Sequence, residues 1–157
     1  LKKSLFVEPR GAGGDVWDRF AAAARVGTGA ILFAVAGINF SDELGRAVFM
    51  VGLPYPNKNS IELKEKMAYL DSQLSGGGNQ LYQSLCMHTI NQAIGRAIRH
   101  RNDYAVVYLL DARFARNDII SKLPSWISKR LKCPSSFANA IALTKEFFEQ
   151  KSFKERP

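Results

Sequence analysis

Cysteine is scarce in this chain: Cys86 and Cys133 are the only two in 157 residues. Their separation gives neither a metal-ligand spacing nor a disulfide framework, which favours a reducing intracellular compartment. Long apolar runs are missing as well. The longest, Ala30–Ala36, falls far short of the roughly 20 residues that a membrane-spanning helix needs, so it reads as a buried strand and no membrane partner is expected. No signal peptide, internal repeat or low-complexity tract is visible. The chain starts at Leu1 rather than Met, and its first residues already read as a strand, so a piece of a longer protein is expected.

Acidic residues are the other shortage. Asp and Glu total 14 against 22 Lys and Arg, a net charge of +8. That excess permits a polyanionic partner such as nucleic acid, nucleotide or an acidic surface, and an ordinary basic protein accounts for it about as well. Apolar residues at 46% and charged residues at 23% exclude a disordered chain. A length of 157 residues suits one domain with a single core.

Apolar strands alternate with helices along the chain. Lys3–Val7, Ala30–Val35, Ala47–Leu53 and Tyr104–Leu110 read as strands, the last three as fully buried. Helices are expected from Asp15, as a cap, to about Arg25, from Ser60 through Leu70, and from Gln80 to about Arg101. Gly76-Gly77-Gly78 reads as a linker, and two further helices fall near Pro124–Leu131 and Phe137–Phe148. The pattern implies βαβ units, an α/β fold with a mainly parallel sheet, and ligand groups at the carboxyl ends of its strands.

The segment Leu85–Tyr104 is the informative one. On a helix Gln92, Arg96 and Arg99 share one stripe, while Ile90, Ile94 and Ala97 or Ile98 face the opposite side. Such a helix holds two guanidinium groups in fixed positions, and their planar forks match phosphate oxygens bidentately. Gly95 costs about 1 kcal/mol relative to Ala within a helix, which suits a place that something must approach closely. Periodicity alone favours a solvated basic face.

The literal string decides otherwise. Gln92 to Arg99, QAIGRAIR, resembles motif VI (QxxGRxxR) of superfamily 2 helicases. The neighbouring words resemble Rad3/XPD-type iron–sulfur DNA helicases, most of all the ChlR subgroup related to FANCJ. Gly37–Arg46 looks like the end of that family's motif V, Val51–Asn57 and Glu65–Asp71 like its connecting segments, and Leu123–Ile127 like its terminal region. The resemblance runs over nearly the whole chain in order.

It implies a RecA-like, P-loop NTPase-type second helicase lobe over residues 1–157. In that setting two lobes sandwich ATP with Mg²⁺, and Arg96 and Arg99 would be arginine fingers, a device worth roughly 10³–10⁵ in rate. Gln92 would position the phosphate or its attacking water. Arg99 has Asp103 as a competing ion-pair partner. Main-chain N–H groups near Gly37 would meet phosphate, and Gly95 would lie beside the nucleotide. Asn39 and Asp42 would bond a ribose or motif VI, or else cap the following turn; for Asp42 the two readings stand level. DNA, single-stranded and forked, the first lobe of the parent chain and a nuclear location are implied in the same way.

The chain departs from the resembling family between its strand and Gly-Ile-Asn-Phe. Relatives carry a Gly-Gly-Lys-(Leu or Met)-Ser-Glu stretch there, whereas only Ala36 separates Val35 from Gly37. That truncates motif V around residues 35–37 and removes a Ser-Glu pair that couples nucleotide to DNA. The first lobe's GxxxxGK[ST] loop and Asp-Glu-Ala-His box are absent, as is the four-cysteine set of the iron–sulfur cluster. The cluster and most contacts to ATP would belong to the parent, and the fragment alone is expected to be inactive. A truncated, non-catalytic isoform that binds nucleic acid or a partner is the alternative. Arg113, Arg116, Lys122, Lys129, Arg130 and Lys132 are candidate contacts to a DNA backbone or a solvated face. Tyr55 reads as core, with stacking on a base as the rival; Trp126, Phe147, Phe148 and Cys86 read as core, and His88 as structural with a nucleotide-side contact as the rival.

Overall fold

The computed structural model describes residues 3–9, 14–26, 29–35, 44–98 and 103–154. They belong to two units, Leu1–Asp111 and Ala112–Pro157. The first unit opens with β1 (Ser4–Val7), α1 (Gly14–Arg25) and β2 (Ala30–Phe33). β1 and β2 pair in parallel, Ser4 opposite Ala30 and Val7 opposite Phe33. A parallel pair needs a crossover, and α1 supplies it, packing on both strands with Phe20 edge-on to Phe6 at 5.8 Å. Asp15 is not the cap expected of it; it lies within the first turn, 3.6 Å from Arg19.

β3 (Ala47–Val51) and β4 (Val106–Leu110) form a second parallel pair, Ala47 opposite Val106 and Val51 opposite Leu110. Their crossover is a helical hairpin of α2 (Ile61–Gln73) and α3 (Gly77–Ala97). All strand pairing among the described residues is parallel, in two separate two-stranded sheets.

The three glycines read as a linker are a helix junction instead. Gly76 takes φ +80° at the turn, and Gly77 and Gly78 already belong to α3. A Cβ on Gly77 would come within 2.7 Å of the Leu70 carbonyl oxygen, and one on Gly78 within 2.7 Å of the Met67 carbonyl oxygen and of Asp71 Oδ2. The missing side chains let the start of α3 lie directly on the backbone of α2. The Gly78 N–H donates to Asp71 Oδ1 at 2.9 Å, which fixes the contact.

The core of this unit lies along α3. Cys86, Met87, Ile90, Ile94 and Ala97 are buried, with Leu53 and Leu63 from the elements around them. The strands are less covered than their apolar composition implies: Val35 is 82% and Val51 78% exposed, and burial alternates along β2 and β3. A fully buried parallel strand needs helices on both faces. Here α1 covers one pair and α3 packs on β3.

The second unit holds a 3₁₀ turn over Ala112–Ala115, then α4 (Asn117–Ile120), α5 (Ser125–Ser128) and α6 (Phe137–Lys154). The turn and α4 pack together, and Phe114, Ile119 and Leu123 are buried. Trp126 was expected in a core but is 42% exposed on α5. A one-turn helix has too little surface of its own to enclose an indole. Phe147 and Phe148 meet edge-to-face at 5.3 Å and are half-buried.

Candidate functional site

Period 3.6 divides α3 into two faces. Cys86, Ile90, Ile94 and Ala97 fall on one side and are all buried, Ile90 and Cys86 completely. His88, Gln92 and Gly95 fall on the other and are exposed. Burial of the apolar stripe holds the polar one outward. The amide of Gln92 lies 2.9 Å from His88 Nε2, one turn earlier on that stripe.

A Cβ on Gly95 would meet nothing within 4 Å. Among the described residues, no protein contact requires a glycine there. α3 ends at Ala97, short of the expected Arg101, because Ile98 takes an extended backbone (φ −129°, ψ 101°). The side chain of Arg96 lies outside the described residues, as do Gly37, Asn39, Asp42 and Arg99. Four residues lead from Ile98 to Asp103, close to the amino end of β4.

The structure brings together a cluster that sequence reasoning missed. Arg46 Nη1 donates to Asp103 Oδ1 at 2.7 Å and to the Tyr104 carbonyl at 2.9 Å. Its guanidinium lies over the Tyr104 ring, 4.0 Å from the centroid. The Asp103 side chain, weighed from sequence as a competing ion-pair partner for Arg99, is 1% exposed and pairs with Arg46. Asn91 Oδ1, one residue before Gln92, is buried without a hydrogen-bond partner among the described residues. Tyr55 stacks on Tyr82 at 4.8 Å, which supports packing over base-stacking.

In the second unit, Arg113, Lys122, Lys129, Arg130 and Lys132 are exposed. Arg116 is exposed too, and its Nε and Nη2 grip the two oxygens of Asp118 at 2.9 Å each. That hydrogen bonding from Arg116 holds the Asp118 carboxyl below the usual carboxylate range, and the pair offsets one of the basic charges. Among the described residues, no three His, Cys, Asp or Glu side chains could hold a metal ion, and no helix is long and apolar enough to cross a membrane. Cys86 is buried and Cys133 exposed, so the residues present do not fit an iron–sulfur cluster.

Residues 1–130 match the model of the helicase C-terminal domain. This chain belongs to the helicase C-terminal domain family. It is 56% identical to the ATP-dependent DNA helicase chl-1 of Caenorhabditis elegans, an alignment covering 98% of the chain and 19% of that protein. It is 49% identical to the ATP-dependent DNA helicase DDX11 of Danio rerio over 81% of the chain and 16% of that relative. With the ATP-dependent DNA helicase chl1 of Schizosaccharomyces pombe the identity is 39%, over 96% of the chain and 20% of that protein. The domain thus spans about a fifth of the length of the curated relatives it matches. The worm alignment runs 159 positions against 157 residues here, so that relative has residues with no counterpart in this domain.

Proposed function

We propose that this domain is the second motor lobe of an ATP-dependent DNA helicase, RecA-like in fold, contributing half of an ATPase site. The observation that carries the reading is the QxxGRxxR string, whose Gln92 and Gly95 lie on the exposed face of α3. Arg96 and Arg99 stabilise charge developing on the transferred γ-phosphoryl group, while Gln92 orients phosphate or water. Main-chain groups near Gly37, with Asn39 and Asp42, meet nucleotide from the motif V side. The first lobe, elsewhere in the parent chain, supplies the phosphate loop and the Mg²⁺ ligands, and the parent carries the iron–sulfur cluster. The names of the relatives support ATP and DNA as its substrates. Single-stranded and forked DNA, and action in the nucleus, complete the reading.

A second reading is a shortened, non-catalytic form that binds nucleic acid or a partner. Favouring it is the single residue, Ala36, between Val35 and Gly37. Hydrolysis assays on the purified 157-residue chain test the half-site reading directly. No DNA-stimulated ATP turnover is expected, because no GxxxxGK[ST] loop is present. Turnover that co-purifies with the chain through successive columns would end it.

A further inference from the structure

We propose that Arg46 is a positioning residue for motif VI: its clasp on Asp103 and Tyr104 fixes the far end of the connection that carries Arg99. The inference rests on the motor-lobe reading and names a residue through which that site is held. The connection from Ile98 to Asp103 has four intervening residues, of which Arg99 is the first. One end is set by α3, where the Ile98 N–H donates to the Ile94 carbonyl at 3.2 Å. At the other end sits the Arg46 cluster.

That cluster is over-determined. One guanidinium nitrogen reaches both the Asp103 carboxylate and the Tyr104 carbonyl, and the guanidinium plane covers the Tyr104 ring. Asp103 Oδ1 also accepts from the Tyr104 N–H at 2.9 Å, which closes the turn upon itself. The backbone joins in, since the Arg46 carbonyl accepts from the Val106 N–H at 2.9 Å. Arg46 directly precedes β3, so the last residue of the motif V word is tied to the residues just after motif VI. The Asp103 side chain is 1% exposed. A buried carboxylate with its counter-charge removed is strongly unfavourable, so the chain adopts the position in which Arg46 reaches it. Lysine keeps the charge but has no planar guanidinium to cover the Tyr104 ring while its nitrogen meets the two acceptors.

The test is a pair of substitutions in the full helicase, with ATPase kinetics, ATP and DNA binding, and circular dichroism read together. Arg46→Lys should lower kcat by about ten- to a hundredfold with ATP KM nearly unchanged, because a displaced catalytic group costs rate more than ground-state affinity. In an Arg99→Lys background the same change should cost nothing more. A role confined to stability predicts multiplied losses and a falling folded fraction. Should Arg46→Lys fail to fold, Asp103→Asn, which keeps the shape and removes the charge, must show the same non-additivity. Parental kcat in the folded variant, or losses that multiply with those of Arg99→Lys, overturns the inference while leaving the finger assignment standing. Parental turnover in Arg99→Lys alone overturns both.

Discussion

In the full helicase, Arg96→Lys is expected to lower kcat by roughly two orders of magnitude or more, with ATP KM little changed. The charge survives this substitution; the planar fork and its bidentate reach do not. An interaction made only in the transition state is lost from kcat, whereas one made equally in the ground state would appear in KM. DNA binding should persist, because the stripe bearing Arg96 is assigned to nucleotide and not to the strand. A merely solvated basic face predicts a different outcome, since exchanges of exposed charge usually change stability by less than about 0.5 kcal/mol. Steady-state kinetics alongside circular dichroism distinguish the two. A folded variant that hydrolyses ATP at the parental rate contradicts the assignment.

Gly77→Ala and Gly78→Ala should each destabilise the domain, by about 1–3 kcal/mol for the overpacking. The sign is what makes the experiment informative. Within an ordinary helix, Gly to Ala is favourable by about 1 kcal/mol, and in a flexible linker it is neutral or mildly stabilising through the unfolded state. Here the added methyl at Gly77 meets the Leu70 carbonyl group and Cβ, and at Gly78 the Met67 carbonyl. Those are backbone neighbours, which cannot swing aside as a side-chain tip can. Urea unfolding midpoints measure it, and a raised midpoint for both variants would return the segment to a linker.

The same glycines show where the sequence stops being legible. A run of three reads as a flexible break, because conformational freedom is the commonest reason for glycine, and nothing local reveals that α2 lies against it. α3 was legible in the opposite way: Ile90, Ile94 and Ala97 repeat at the helical period and are buried as that period requires. The role proposed for its exposed stripe was not legible from period, which favoured a solvated face; the proposal rests on the literal motif. Strand positions were readable from the apolar runs, but their burial was not. Val35 and Val51 are composed like core and remain open, because cover depends on elements that a single strand's residues cannot specify. The Arg46–Asp103 pair joins positions 57 residues apart, a separation at which no local spacing signals a contact.

On the proposed reading this domain completes, in trans, a nucleotide site held by another lobe. Titrating it into the separately purified first lobe, at fixed ATP, Mg²⁺ and single-stranded DNA, measures that most directly. Hydrolysis is expected to rise with added domain and to saturate, with no turnover from the domain alone and little gain when the domain carries Arg96→Lys and Arg99→Lys together. Equal stimulation by the wild-type and doubly substituted domains, with both folded, would contradict it.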